Sequence, residues 1–320
     1  MAITRRNLLL GLAGMTTVAA LPASAGARDA VRLSGWAFGT GWSVTLPHGI
    51  GAEEPAAIAE TLAGIDAAMS PFRPDSELSR FNRASAGFHV VDPDFAAVTA
   101  EALRLADWSD GAFDPTVGPL VGRFGFGPMQ GERGGSYKGL TCHADRVGKA
   151  DAALSLDLCG IAKGHAVDAV AARLRRLGHD DMFIEIGGEV LAAGVNAGAA
   201  WRVGIANPLG GGVVRALPLA DLALATSGDS VNVYAVDGRR YSHTIDPGTA
   251  EPVRNQVASV SVAHRSAMTA DGLATAMMVM GPETGLARAH ADGLAVLFLL
   301  RDPADGLIAQ ASPAWLALGS

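Results

Sequence analysis

Short connections between neighbouring strand-like segments restrict the fold of this 320-residue chain more than any other feature of its sequence. The strand-like runs of its second half are rich in apolar residues; they are Met182 to Ile186, Trp201 to Ala206, Leu219 to Thr226, Ala258 to Ala263 and Leu294 to Leu300. Several of the Gly-rich connections are too short to hold a helix. Because parallel neighbours need a long crossover, antiparallel pairing must be present. We therefore predict an α+β fold with mixed, largely antiparallel sheets and packed helices.

Three segments of helical character accompany these strands. The first carries apolar residues three and four positions apart, at Ile58, Leu62, Ile65 and Met69. In the second, Asp92 and Pro93 predict an N-cap and a first helical residue, and we expect this helix to end near Gly111. We expect the third to begin near Gly160 and to stop at Gly178.

The composition supports a globular protein. With 49% hydrophobic and 18% charged residues, the chain has enough apolar surface for a substantial core. A formal net charge of -7 argues against a nucleic-acid partner, which would need clusters of Lys and Arg. No Pro/Ser-rich linker divides the chain, so we expect residues 26–320 to form one unit with two lobes.

Residues 1–25 are typical of a twin-arginine signal peptide. Arg5 and Arg6 precede a weakly apolar stretch that ends at Leu21, and Ala23–Ala25 fits the A-x-A cleavage pattern. The stretch is short for a membrane span, which takes about 20 predominantly apolar residues. We expect cleavage after Ala25 and a periplasmic protein with no permanent membrane anchor; a retained anchor is the alternative.

Asp271 and Thr275 lie four residues apart in a segment that we predict to be a helix opened by Ser266. At this spacing a carboxylate and a hydroxyl share one helix face, and both are hard oxygen ligands of the kind that Mg²⁺ prefers. The same spacing is more often found on a solvated helix face. However, the apolar run from Ala274 to Met280 predicts a buried helix, in which Asp271 would need a partner or a metal ion.

Asp157 and Lys163 flank the start of the third helix, next to Gly160 and Gly164. Helix N-termini with nearby glycines offer backbone N–H groups to phosphate. A lysine in the first turn opposes the helix dipole unless an anion lies close by. The pattern indicates a phosphorylated ligand, and the alternative, an N-cap aspartate with an exposed lysine, is equally consistent with these residues.

Two further segments carry candidate chemistry. His243 stands at a strand end before Asp246 and could accept a proton from an attacking hydroxyl; a structural or exposed histidine is the alternative. Phe72, in the loop from Ser70 to Leu78, could stack on a planar ring or belong to the core.

The two cysteines, Cys142 and Cys159, could pair in an oxidising compartment, but we favour a buried free thiol at Cys159.

Taken in order, these motifs resemble those of the ApbE family of FAD:protein FMN transferases. The matching segments are Phe38–Thr40, Ser70–Asn82, Ala112–Asp114, Asp157–Asp168, Gly187–Gly188, Ala225–Gly228, His243–Pro247 and Ala270–Thr275. Their order and spacing cover nearly the whole mature chain. The resemblance implies two lobes around one FAD site and Mg²⁺-dependent transfer of the FMN moiety of FAD onto a Thr or Ser hydroxyl of an exported redox flavoprotein, with release of AMP.

The resemblance also implies roles for individual residues. Those that would line the FAD site are Phe38, Phe72, Ala112, Phe113, Asp114, Asp157, Lys163 and Ile245. The Gly160 carbonyl, Asp271 and Thr275 would hold Mg²⁺, and His243 would assist removal of the hydroxyl proton.

The chain departs from the family pattern at several positions, among them the end of the run after His243, which reads Pro247–Ala250. Phe38 stands where Met is usual, Phe72 replaces a tyrosine, and Cys159 occupies a glycine position. Ala274 stands where some members have an additional acidic ligand, so water or an FAD phosphate would complete the metal site.

The leader resembles that of the NosX branch, whose members serve the flavoprotein of nitrous oxide respiration, so the implied acceptor is NosR-like. An FAD carrier and an FAD pyrophosphatase remain alternatives. The joint presence of His243, Asp271 and Thr275 favours chemistry over simple carriage.

Overall fold

The computed structural model describes residues 30–131, 134–229, 233–236, 239–302, 304 and 306–319. The predicted signal peptide and its cleavage point lie outside these residues. The described helices are α1 (Glu54–Met69), α2 (Glu77–Arg83), α3 (Pro93–Trp108), α4 (Gly118–Arg123), α5 (Ala162–Arg176), α6 (Ala267–Ala291) and α7 (Pro313–Ala317). None of them combines the length and apolar character needed to cross a membrane.

The described strands group into one large sheet and several small ones. In chain order they are β1 (Val31–Ala37), β2 (Thr40–Leu46), β3 (Gly87–Val90), β4 (Leu140–His143), β5 (Arg146–Lys149), β6 (Met182–Ile186), β7 (Glu189–Ala193), β8 (Trp201–Ala206), β9 (Val213–Leu219), β10 (Leu222–Gly228), β11 (Val233–Val236), β12 (Arg239–Ser242), β13 (Ile245–Asp246), β14 (Glu251–Pro252), β15 (Val257–His264), β16 (Ala295–Arg301) and β17 (Leu307–Ala311). The large sheet has the order β1-β2-β6-β7-β10-β15-β16-β17, and each neighbouring pair in it is antiparallel. The predicted α+β class with antiparallel pairing is confirmed.

The predicted strand from Leu219 to Thr226 is two strands. β9 ends at Leu219 and pairs with β8, whereas β10 begins at Leu222 and enters the large sheet between β7 and β15. Asp221 separates them with φ of 53°, in the left-handed region. Its short carboxylate accepts a hydrogen bond from Gly194 N at 3.0 Å, which helps to hold this conformation.

The predicted helices are present, with small shifts at their ends. α3 has Asp92 as its N-cap, whose carboxylate accepts from Asp94 N at 2.8 Å, and it ends at Trp108 rather than near Gly111. α5 ends at Arg176, and Gly178 follows it with φ of 91°, as expected for a C-terminal stop.

The large sheet separates two apolar cores. One face packs on α1, α5 and α6, with α3 packed against α6, and the other is covered by the β8–β9 hairpin and by α7. Alternate residues of each central strand point to opposite cores: Ile184 lies in the helix-side core and Phe183 in the other. α5 and α6 lie side by side on the helix-covered face of the sheet, and their N-terminal turns meet above β7 and β10.

Candidate functional site

The start of α6 is fully capped by side chains. The Ser266 hydroxyl accepts from Thr269 N at 3.2 Å, as expected of a serine N-cap. Asp168, in α5, accepts from Ala267 N at 2.9 Å, from Met268 N at 3.0 Å and from the Ser266 hydroxyl at 2.8 Å. These bonds fix where α6 begins and in which direction it presents its next turn.

Asp271 lies one turn further along α6 and faces the first turn of α5. The residue is 4% exposed, and its Oδ2 accepts from Gly164 N at 2.9 Å. The helices approach so closely that a Cβ at Gly164 would lie 2.2 Å from the Ala267 carbonyl oxygen, so only glycine fits there. The predicted burial of this aspartate is confirmed.

Lys163 connects Asp271 to a second buried carboxylate, Glu189. The Lys163 ammonium lies 2.5 Å from Glu189 Oε1 and 4.0 Å from Asp271 Oδ1. Glu189 is the first residue of β7 and is 2% exposed, whereas the Lys163 side chain is 32% exposed. The lysine thus reaches from the solvent side of the site to two carboxylates in its floor.

The charges of this cluster perturb one another. Burial raises the pKa of Glu189 to about 8 despite the neighbouring ammonium, and it raises the pKa of Asp271 as well. Burial alone would lower the pKa of Lys163, but Asp271 and Glu189 together raise it. Two carboxylates share one ammonium, so the ionised cluster carries an excess negative charge that favours a cation or a proton.

Asp157 is not the N-cap of α5, so the alternative of an N-cap aspartate is excluded. α5 begins after Ile161, whose own side chain makes no capping hydrogen bond; the carboxylate that accepts from the first turn is that of Asp271, at Gly164 N. The Asp157 carboxylate instead accepts from Cys159 N at 2.9 Å, within the turn before the helix, and burial raises its pKa. Because Lys163 is paired with carboxylates rather than simply exposed, the alternative of an ordinary helix start is not what the structure contains.

The oxygen atoms around Thr275 fit a hard cation. Its hydroxyl donates to the Gly160 carbonyl at 3.4 Å and lies 3.5 Å from the Ser227 hydroxyl. A Cβ at Gly160 would come within 3.2 Å of Thr275 Oγ1, so glycine lets the carbonyl and the hydroxyl approach each other. Together with the Asp271 carboxylate these are hydroxyl, carbonyl and carboxylate oxygens, the donor set of Mg²⁺.

The protein contributes few charged ligands to such a site. Among the described residues there is no group of three or more His, Cys, Asp and Glu side chains that could hold a metal ion. Thus Asp271 is the carboxylate of a mainly neutral donor set. The donors fit Mg²⁺ if water or a ligand phosphate completes the coordination, as the alanine at position 274 leads us to expect.

The loop from Ala112 to Asp114 lies next to Gly160. A Cβ at Gly160 would be 3.3 Å from Phe113 Cε2, and Phe113 is 4% exposed. The Asp114 carboxylate is occupied by backbone and hydroxyl donors, because it accepts from Thr116 N at 2.8 Å, from Thr116 Oγ1 at 2.7 Å and from Tyr137 N at 3.2 Å. In the structure this aspartate holds the shape of the loop that brings Phe113 to the site.

The β1–β2 hairpin approaches the same lysine from the other side. Phe38, at the hairpin turn, is half-buried with φ of 54°. A Cβ at Gly187 would lie 2.7 Å from Thr40 Cγ2 and 3.4 Å from Lys163 Cδ. The glycine therefore leaves room for the Lys163 side chain to pass between the hairpin and the turn before β7.

His243, Ile245 and Phe72 belong to other loops. His243 lies half-buried between β12 and β13, and its ring meets Phe126 edge-on at 6.3 Å between centroids. Ile245 is buried, and Asp246 accepts from Gly248 N at 2.8 Å within the following hairpin turn. Phe72 is 66% exposed, so of its two alternatives the core is excluded and the ring is open to a ligand.

Glu189 and Ser227 were not predicted as site residues. Both stand in or next to the matching motifs, Glu189 directly after the Gly187–Gly188 pair and Ser227 within Ala225–Gly228. A carboxylate at the start of the otherwise apolar run Glu189–Ala193 is the signal that could have revealed the first of them. A carboxylate buried at the start of an apolar strand requires a charged partner.

Both cysteines are free thiols. Cys142 is half-buried and Cys159 is exposed, so the expected free thiol at Cys159 is confirmed and its expected burial is wrong. The turn before α5 buries Leu158 in the core and leaves the next side chain on the outside.

Comparisons with known proteins match this chain over most of its length. The ApbE family model matches residues 38–298. The FAD:protein FMN transferase of Vibrio cholerae is 38% identical over 92% of this chain and 94% of its own length, and that of Haemophilus influenzae is 34% identical over 98% of each.

Solved structures match equally widely. The flavin transferase ApbE from Vibrio cholerae has a TM-score of 0.82 at 37% identity and covers 91% of this chain and 99% of its own. The ApbE protein of Thermotoga maritima has a TM-score of 0.80 at 27% identity over 91% of this chain and 100% of its own. The resemblance predicted from the ordered motifs is thus confirmed, and the chain belongs to the ApbE family.

Proposed function

We propose that this chain transfers the FMN moiety of FAD to a Thr or Ser hydroxyl of another protein and releases AMP, with Mg²⁺ as its metal cofactor. The relatives from Vibrio cholerae and Haemophilus influenzae are named FAD:protein FMN transferases. The observation in this chain that carries the proposal is the cluster of Lys163, Glu189 and Asp271 beside the Gly160 and Thr275 oxygens. It combines a cation that can meet phosphate with hard oxygen donors that can hold Mg²⁺.

The two halves of this cluster have different roles. Lys163, with about a third of its side chain exposed, pairs with the diphosphate of FAD. Asp271, Thr275 and the Gly160 carbonyl hold Mg²⁺, which when bound supplies neutralisation of the charge that develops as the P–O bond breaks. The excess negative charge of the protein cluster supports this assignment, because a cation bound there stabilises it.

The remaining site residues hold the organic part of FAD. They are Phe38, Phe72, Ala112, Phe113, Asp114, Asp157 and Ile245. The exposed ring of Phe72 offers a face for stacking on a planar ring of FAD. Asp114 acts through its loop, which places Phe113 next to Gly160.

His243 is the candidate general base of the transfer. It accepts the proton of the acceptor hydroxyl as the hydroxyl oxygen bonds to the FMN phosphorus, and the bond between that phosphorus and the bridging oxygen breaks. The bridging oxygen leaves with AMP, and FMN remains on the acceptor as a phosphoester. Asp246 supports the histidine indirectly by holding the adjacent hairpin turn through Gly248 N.

The location and the acceptor are part of the same proposal. The twin-arginine motif of residues 1–25 supports export of the folded protein to the periplasm, and an exported acceptor would meet it there. We propose a membrane-associated electron-transfer flavoprotein as the acceptor, of the NosR-like kind used in nitrous oxide respiration. Replacing Arg5 and Arg6 with lysine should retain the protein in the cytoplasm, and export that continues in this variant would contradict the route.

Incubation of the purified protein with FAD, Mg²⁺ and an acceptor flavin domain tests the activity. We expect covalent FMN on the acceptor by mass spectrometry, together with AMP, and no product when the acceptor threonine is replaced by valine. Free FMN and AMP without modified acceptor would identify a hydrolase, and intact bound FAD would identify a carrier. A chelator control, restored by added Mg²⁺, tests the metal requirement separately.

A further inference from the structure

We propose that Glu189 is a positioning residue that holds the Lys163 ammonium away from Asp271 and so keeps Asp271 available to the divalent cation. This inference rests on the metal site proposed above and adds to it a residue outside the proposed ligand set. The cation and the ammonium compete for one carboxylate, and Glu189 decides that competition by binding the ammonium itself.

The position of Glu189 in β7 directs its side chain into the site. Successive residues of a strand face opposite sides of the sheet, so Glu189 shares a face with Leu191, which lies in the helix-side core. Its pairing partner Ile186 lies in the same core. The carboxylate therefore enters the apolar layer beneath α5 and α6, where the lysine is its charged partner.

The distances show which carboxylate holds the ammonium. Lys163 Nζ lies 2.5 Å from Glu189 Oε1, a contact distance, and 4.0 Å from Asp271 Oδ1, at the outer limit of an ion pair. Asp271 Oδ2 is bonded to Gly164 N. Oδ1 is thus the carboxylate oxygen that remains for a metal ion, and it is also the one that faces the lysine.

The lysine is constrained along its length. Its stem passes the Gly187 turn, where a Cβ would lie 3.4 Å from Lys163 Cδ. The second Glu189 oxygen, Oε2, is buried and has no hydrogen-bond partner among the described residues. Without the charge of Glu189, the ammonium would need to move only slightly to pair with Asp271, and a metal ion would then have to displace it.

Binding of Mn²⁺, a spectroscopic substitute for Mg²⁺, tests this inference without any turnover. The free metal is measured by electron paramagnetic resonance without FAD, and again with FAD but no acceptor protein, for wild type, Glu189→Gln, Glu189→Asp, Lys163→Met and the double variant Lys163→Met/Glu189→Gln. Glu185→Gln is the matched control, because Glu185 neighbours the same turn but is two residues along from Phe183, which packs in the opposite core. Thermal unfolding of each variant checks that it is folded.

We expect Glu189→Gln to weaken Mn²⁺ binding about 10- to 100-fold, the range typical for residues behind a metal ligand. Glu189→Asp should recover part of this loss, and Glu185→Gln should bind as wild type does. In the Lys163→Met background the Glu189→Gln change should have little further effect, because the competing ammonium is gone.

Three results would overturn the inference. Unchanged Mn²⁺ binding in folded Glu189→Gln would show that Asp271 needs no protection from the lysine. An equal loss with and without Lys163 would show that Glu189 acts through its own charge or through packing. Wild type that binds no Mn²⁺ either with or without FAD would remove the proposed metal site itself, and with it this inference; binding by wild type that is insensitive to Glu189 would remove the inference alone.

Discussion

The starts of α5 and α6 use the same residue type for opposite purposes. Each helix supplies an aspartate to the first turn of the other: Asp168 of α5 accepts from the first turn of α6, and Asp271 of α6 accepts from Gly164 N of α5. Asp168 accepts three hydrogen bonds, whereas Asp271 is buried with one, next to an ammonium held by another residue.

The difference teaches how a structural carboxylate can be told from a reactive one. Buried polar groups in native proteins are nearly always satisfied, so an aspartate with unused acceptor capacity in an apolar layer requires an explanation. At the start of α6 two backbone N–H groups and the Ser266 hydroxyl use the whole carboxylate of Asp168. At the start of α5 the N-cap residue Ile161 makes no side-chain capping hydrogen bond, and Lys163 stands where the dipole disfavours a cation, which is the arrangement of a ligand site.

The largest expected effect is at Asp271. Asp271→Asn keeps the shape and the oxygen that can accept from Gly164 N but removes the negative charge, so we expect Mg²⁺-dependent FMN transfer to fall by about 10³-fold. Transfer rates over a range of Mg²⁺ concentrations measure this. A normal rate at low Mg²⁺ would contradict the assignment of Asp271 to the metal.

The same change at Asp168 should affect stability instead. Asp168→Asn places an amide against donors at the start of α6, so we expect the free energy of unfolding to fall by about 2 kcal/mol. Urea denaturation measures the loss, and the transfer rate of the folded fraction should stay within about twofold of wild type. If folded Asp168→Asn lost transfer as Asp271→Asn does, the distinction between the two carboxylates would fail.

A smaller effect is expected at Gly160. Gly160→Ala would bring a methyl group to 3.2 Å from Thr275 Oγ1 and 3.3 Å from Phe113, so the carbonyl and the hydroxyl must separate slightly. We expect transfer to fall by about tenfold, since small misplacements at a site are costly.

Gly64→Ala in α1 is the matched control for this change. Nothing lies within 4 Å of its added Cβ, so it should stabilise the protein by about 0.5–1 kcal/mol and leave transfer unchanged. An equal loss of transfer in both variants would point to a general effect of the substitution rather than to contacts at Gly160.

The smallest effect concerns the opposite end of α5. His179 bonds to Glu54 Oε1 at 2.9 Å, and this hydrogen bond lowers the pKa of Glu54 below its ordinary value of 4.5. A carboxyl group with a lowered folded-state pKa stabilises the protein above its ordinary value, and the contribution is lost as the pH falls through the folded-state pKa. Glu54→Gln should therefore flatten the fall in unfolding free energy below about pH 4.5, and equal slopes in wild type and variant would contradict this.

Local sequence patterns predicted many of these features because their causes are local. Asp92 and Pro93 start α3, Ser266 starts α6, and the apolar run after Ala274 predicts that Asp271 is buried. Each depends on capping or on periodicity within one turn or two, which neighbouring residues decide.

The sequence predictions that failed or stayed open mostly concern features that depend on a distant part of the chain. The break between β9 and β10 lies at Asp221, whose carboxylate accepts from Gly194 N. Gly194 precedes the β8–β9 hairpin in the chain, 27 residues before Asp221. Phe72 looked equally suited to the core and to a ligand, and only the packing of its loop leaves it exposed. Asp157 is the exception, because its carboxylate bonds locally, to Cys159 N in the turn before α5.

The sequence by itself determined the class of fold, the helix starts and, through the order of its motifs, the family. Only the tertiary structure decided that Lys163 belongs to Glu189 and Asp271, because these residues come from α5, β7 and α6. Their charges meet through the register of the sheet and the close approach of two helices at Gly164, which residue spacing along the chain does not encode. Because these three side chains are withdrawn from water, their charges must be paired with one another or with a ligand.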